Sequence, residues 1–425
     1  MTLLTRRLGI GHAIGIGLAS MIGAGAFYVW APAAQAAGSG LFLGLLIAGI
    51  VATLNALSSA QLAMAHPVSG GAYAYGRATL GPWWGFAAGW LFLAGKTASA
   101  GGIALIAGTY LWPDQARVTA VLAILVFALV NITGIRSTGR VSVGIVTVVL
   151  SGIAGVVVVA LLTHGNDFAL PGWGWGSGDA TAGGDAAGDA AGAGPFGVLQ
   201  SAGLLFFAFA GYARMATLGE EVRDPRRTLP RAIVGALAIA LVVYAVLGVL
   251  CVGILGIDGL ARTAAPVAAL VPEGWAPLVT VVAAVASLGS LMGILAGLSR
   301  TSLAMARGRD LPGRLGWIWP RTSAPAAAEA TMAVLAILGV LLLDPVQLVG
   351  FSASSVLGYY AIAHLAARAQ PPGERWLPRA VQYVGVVGCL VLSLTLPPQS
   401  VLAAALVLAL GLALRAARLR ARPTA

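Results

Sequence analysis

Apolar runs close to 20 residues long recur along almost the whole of this 425-residue chain. An α-helix needs about that many residues to cross a hydrocarbon core about 30 Å thick. A helix that is apolar on every face must be covered by lipid or by other helices. Hydrophobic residues make up 59% of the chain and charged ones 9%, where soluble domains carry about 25% charged residues. The chain therefore reads as an all-α polytopic membrane protein. The runs place about twelve spans, at 9–30, 38–64, 83–111, 117–134, 141–163, 197–219, 229–256, 277–305, 324–343, 346–368, 378–396 and 399–417.

Arginine placement sets an orientation. With the N-terminus cytoplasmic, the internal connections collect Arg6, Arg7, Arg77, Arg136, Arg140, the clusters at 223–231 and 307–321, and the basic tail from Arg415. The other side keeps Arg117 and Arg262 with most of the acids, among them Asp114, Asp258, Glu273 and Asp344. Both termini are then expected to be cytoplasmic. The net charge of +11 reflects these loops rather than a nucleic-acid surface. Two stretches read as loops. The Gly/Ala/Asp-rich 164–196 is a flexible external loop by composition. The segment 66–82, "HPVSGGAYAYGRATLGP", is too rich in Gly and Pro for a helix.

Several chemistries are disfavoured. Cys251 and Cys389 lie in apolar runs, so no disulfide framework is expected. No metal-ligand spacing, phosphate-binding loop or nucleophile motif occurs, which argues against a metal, a cofactor and ATP-driven work. His12, His66 and His364 sit by internal ends or loops and His164 is external, so none forms a dyad with an acid in the membrane. The chain is not expected to be an enzyme. Its first apolar segment is too long for a signal peptide.

Within the first span, "SMIGAGAF" at 20–27 places Gly23 and Gly25 two apart. Glycine costs about 1 kcal/mol relative to alanine inside a helix. Close helix packing is one reason to accept it. A second small-residue interruption, "FFAFAGY" at 206–212, falls in span six, the corresponding position if spans one to five and six to ten are repeats. Paired interruptions of this kind point to a midplane transport site. Unwound backbone in lipid needs polar partners. Helix N-termini suit a carboxylate and freed carbonyls suit an ammonium group.

These two motifs, "GIGLASMIGAGAF" and "FFAFAGYARMATLGEEVRDPRRTLPRAI", resemble those of the amino acid–polyamine–organocation superfamily, bacterial amino acid permeases in particular. "PVSGGAYAYGRATLGPWWGFAAGW" and "LSRTSLAMARGRDLP" resemble its internal-loop patterns. The resemblance implies a leucine-transporter-type fold: inverted five-helix repeats at 1–163 and 197–370, the loop between them, and two peripheral helices with a basic tail in 371–425. It further implies alternating access around discontinuous helices one and six. Carried over by position, Ile22, Gly23, Ala24 and Gly25 would meet a substrate carboxylate. Phe209, Ala210 and Gly211 would meet its amino group, and Phe207 would stand as an aromatic gate. Packing is the competing role for Phe206, Phe207 and Phe209. Gly101 and Gly102 hint at a roomy pocket that Ile294 or Leu295 could fill.

Charges inside spans default to function. Lys96 lies mid-span in helix three, with more than ten residues on either side, too far to snorkel. Arg214 follows the helix-six interruption and is a coupling or gating candidate, with snorkelling to the interface as the competing role. Many proton-coupled members of the family this chain resembles carry a lysine on helix five, but here that position falls near Val149 and the span holds no lysine. Lys96 is the expected replacement, because a desolvated lysine can release and rebind a proton. Contact with a substrate carboxylate is the alternative role. Glu220 and Glu221, with the arginines that follow, read as an ion-paired internal gate or as a solvated loop, and Pro230 as a helix start. No sodium site is evident. The expected activity is secondary active transport of amino acids or related amines across a bacterial inner membrane, by proton coupling or exchange. A non-transporting amino-acid sensor on the same fold is the alternative.

Overall fold

A computed structural model describes residues 8–66, 70–133, 139–165, 194–216 and 222–420. Every regular element among them is helical. The first span is built of three pieces: α1 (Ile10–Met21), α2 (Ala24–Tyr28) and α3 (Trp30–Ala37). It thus runs past the expected end at residue 30. After it come α4 (Leu41–Ala65), α5 (Gly71–Thr79), α6 (Pro82–Leu111), α7 (Ala116–Ile132) and α8 (Gly139–His164). The sixth span comprises α9 (Pro195–Phe209), a 3-10 turn at Ala210–Tyr212 and α10 (Ala213–Ala216). The chain closes with α11 (Pro225–Arg262), α12 (Ala276–Arg307), α13 (Ala326–Leu342), α14 (Pro345–Ala369), α15 (Arg379–Thr395) and α16 (Pro398–Arg420). Nine helical stretches among the described residues are long and apolar enough to cross a membrane, and three shorter apolar helices accompany them. The loop expected at 164–196 lies almost wholly outside the described residues.

Burial sorts the helices into a centre and a rim. In α6, 94% of the most apolar 18-residue window is buried, against 17% in the stretch containing α7. The centre is α6 packed on α14 and α12. The rim turns Leu129, Leu162 and Leu406 outward, where lipid covers them. Small residues set the close approaches that van der Waals packing in a bilayer requires. Gly411 of α16, for example, lies against the Trp90 ring of α6, whose Nε1 donates to the Val407 carbonyl at 2.7 Å.

Two expectations are corrected. Within 66–82, residues Gly71–Thr79 form α5. The positive-φ glycines sit at its ends, Gly70 (φ +122) and Gly71 (φ +55) turning the chain into the helix and Gly81 (φ +102) turning it out, while Gly76 is carried inside the helix against Gly85 of α6. Pro230 does not start helix seven; Pro225 does, at the first turn, and Pro230 lies inside. His364, five residues before the end of α14, is fully buried. Its Nε2 lies 2.6 Å from Asn55 Oδ1 and its Nδ1 2.9 Å from Ser58 Oγ, which ties α14 to α4. Gly385 of α15 leaves room for the imidazole.

One ion-paired node joins the arginine-rich ends of several helices. Asp310, after α12, accepts from Arg77 Nη1 of α5 at 2.8 Å, from the Tyr73 hydroxyl at 2.9 Å, and from Arg415 of α16. Burial and the neighbouring carboxylate push the Tyr73 phenol up to about 12, so it remains a donor. The N-terminal segment pairs with the segment after α10: Leu8 and Val222 form a parallel bridge, and Arg223 N–H donates to the Leu8 carbonyl at 2.9 Å.

Candidate functional site

The two interruptions meet in the protein interior. Between α1 and α2 the helix is lost at Ile22 (φ −81, ψ 69) and Gly23 (φ −120, ψ −149). Gly23 N–H turns back to the Met21 carbonyl at 2.9 Å. Ala24 and Gly25 then open α2, where first-turn amides have no partner within their own helix. Across from them, α9 tightens into the Ala210–Tyr212 turn. Ile22, Ala24, Phe209 and Ala210 are all buried.

Glycine is required where these backbones touch. A Cβ on Gly25 would lie 2.7 Å from Ala208 Cα of α9. One on Gly211 would collide with the α1 backbone at Ser20 and Met21. One on Gly23 would strike Ser290 of α12, whose Cβ would be 2.8 Å away. These glycines therefore have a packing function whatever else they do. Gly101 and Gly102 face Ala336, Leu348 and Val349 of α13 and α14, so their small size fits that packing.

Lys96 stands at the second interruption. It is buried, and its Nζ donates to the Ala210 carbonyl at 3.0 Å. Among the described residues no carboxylate pairs with it. The ammonium thus supplies a donor to a carbonyl at the interruption, which offsets part of the cost of irregular backbone in a dry interior. The carbonyl expected to meet a substrate amino group is already bonded to a cation of the chain itself.

Tyr244 of α11 is a site residue that the sequence reading missed. Its hydroxyl lies 2.7 Å from the Met21 carbonyl and 3.0 Å from the Ala208 carbonyl, so a single donor faces both interruptions. Phe209 packs edge-on against the Tyr244 ring, with centroids 4.8 Å apart. Phe206 packs on Tyr360, centroids 6.0 Å apart, and Phe207 is buried. Arg214, on α10, lies beside Gly297 of α12. Glu220 and Glu221 lie outside the described residues. Val149 is buried in α8. Two further hydroxyls, Ser287 of α12 and Ser355 of α14, are buried without a protein partner. The nearest sequence signal for Tyr244 was a polar ring in an apolar run, which gives no hint of its partners.

The sequence profile of the amino acid permease family matches residues 12–373, across both interruptions. The chain belongs to this family. It is 48% identical over 414 residues to a Mycobacterium tuberculosis protein described as an uncharacterized transporter, covering 96% of this chain and 90% of that one. It is 30% identical over 407 residues to the vacuolar cationic amino acid transporter 2 of Arabidopsis thaliana, covering 89% of this chain and 62% of that one. A branched-chain amino acid permease of Bacillus subtilis is 26% identical over 417 residues, covering 90% and 84%. The protein is a multi-pass membrane transporter and not an enzyme, as the sequence implied.

Proposed function

We propose that this permease moves amino acids or related amines across a bacterial inner membrane by alternating access, with both termini cytoplasmic, and that Lys96 couples the movement to protons. The observation that carries this reading is the pair of interrupted helices lying side by side, one of them held open by a buried lysine. In this reading 1–163 and 197–370 are inverted repeats, with 371–425 peripheral. The Ala24 and Gly25 amides take the substrate carboxylate. The substrate ammonium competes with Lys96 for the Ala210 carbonyl. The displaced Lys96 ammonium passes its proton to water admitted from the side on which the site is open, and the amine takes one back when the site opens on the other side. Ser287 and Ser355 supply further hydroxyls that a bound polar molecule can satisfy. The Leu8–Arg223 pairing closes the arginine-rich face and opens for release on that side.

Of the substrates named for the relatives, a neutral side chain suits this site better than a cationic one. While Lys96 still holds its proton, a cationic side chain arriving about 5 Å from it would meet about 3 kcal/mol of repulsion at an effective dielectric of about 20, which a neutral one avoids. The test is counterflow of radiolabelled amino acids in proteoliposomes, after a thermal-shift screen to choose ligands. Saturable counterflow of a neutral amino acid is expected. A ligand that binds without being exchanged would make the chain a sensor and end the transport reading.

A further inference from the structure

Away from the helix interruptions, a cavity of about 320 Å³ opens on the arginine-rich face between α5, the start of α6, the segment after α12 and the end of α16. Arg77, Arg415, Arg418, Asp310, Trp83 and Leu419 are among its lining residues. Three of these are guanidinium groups and one is a carboxylate. That carboxylate is saturated: one oxygen takes Arg415, and the other takes Arg77 and the Tyr73 hydroxyl. Like charges crowded around a saturated acid repel one another, so the cavity favours an anion.

Arg415 gives this preference a direction. Its side chain is only 7% exposed, fixed by Asp310 on one side and by the Trp83 and Phe86 rings at 5.1 and 4.8 Å. Its Nε is buried and has no hydrogen-bond partner. A guanidinium held this rigidly, with a donor unspent, is suited to a tetrahedral oxyanion, which accepts parallel N–H bonds. Two apolar residues that line the cavity, Trp83 and Leu419, are exposed. From the cavity Leu414, Leu410, Leu406 and Leu402 run back along α16 at four-residue spacing, all exposed. A headgroup in the cavity would leave its acyl chain on that stripe.

We propose that the Arg77–Arg415–Arg418 cavity binds a phosphate ester, and that its source is the headgroup of an anionic phospholipid. The lipid bridges α16 to α5 and α6 and reinforces the Asp310 node. Basic pockets between transmembrane helices are suited to such headgroups.

The test uses the full chain purified in detergent and reads its melting temperature with added phosphatidylglycerol, phosphatidylcholine or inorganic phosphate. Phosphatidylglycerol is expected to raise it and the other two are not. R418Q, at the edge of the cavity, is expected to lose that rise. R379Q, which removes an exposed arginine outside the cavity, is expected to keep it. R77Q provides a second cavity variant and is expected to behave as R418Q. A rise with inorganic phosphate that R418Q loses would keep the phosphate site and overturn the lipid source. No rise with either anion, or an equal rise in wild type and R418Q, would overturn the proposal.

Discussion

Lys96→Met separates the roles that a buried lysine can play. Methionine keeps the unbranched stem, and volume-conserving changes of this kind cost less than about 1.5 kcal/mol. The Ala210 carbonyl, now 3.0 Å from the ammonium, loses a charge-assisted hydrogen bond that is worth about 1.5–3 kcal/mol. Against this, the variant no longer desolvates an ammonium, a term of opposite sign. The folded state is therefore expected to survive. Binding of an amino acid should tighten, because its ammonium no longer displaces a tethered competitor. A competitor worth about 1.5–3 kcal/mol corresponds to about 10- to 150-fold in affinity. Uptake driven by a pH gradient should be lost while exchange remains measurable. Equilibrium binding of a radiolabelled amino acid to purified protein reads the first effect, and proteoliposomes with and without a pH gradient read the second. Weaker binding would instead mean that Lys96 holds a substrate carboxylate. Unchanged pH dependence would remove it from coupling.

Gly23→Ala should impair both folding and transport by driving a methyl group into Ser290. Adding Ser290→Gly should restore both, and restored stability without transport would show that the glycine backbone itself is needed for substrate. Tyr244→Phe leaves the Met21 and Ala208 carbonyls without their shared donor. About 1–3 kcal/mol of stability should go with it, visible as a lower melting temperature, and uptake should fall. Asp310→Ala strands Arg415, whose side chain is 7% exposed. Breaking such a buried pair costs about 3–5 kcal/mol, so the melting temperature should drop sharply even if substrate affinity does not change.

The interruptions were legible in the sequence because membrane helices have few reasons to break, and glycine in two corresponding spans is one of them. Lys96 was legible because a charge in mid-span stands out against apolar neighbours. Its partner was not, since the carbonyl it meets is 114 residues away. Tyr244 was invisible for a related reason: a hydroxyl declares neither direction nor acceptor. The packing role of Gly23 depends on Ser290, brought beside it only by the fold. Helix α5 was misread because Gly and Pro were counted over 66–82 as a whole, whereas all but Gly76 fall at or beyond its ends and "AYAYGRAT" coils with that one glycine inside it. The partners of His364 were equally hidden, since it meets Asn55, 309 residues away in the chain.

The pairing of Leu8 with Val222 and Arg223 is made by main-chain atoms. Every residue except proline carries the N–H that such a bond requires. Drift in side chains at these positions therefore leaves its polar groups intact. A descendant of this chain could change its substrate by altering the residues around the interruptions while inheriting the same closure. Two copies with little sequence in common at these positions could share the device, and a comparison of their letters alone would not reveal it.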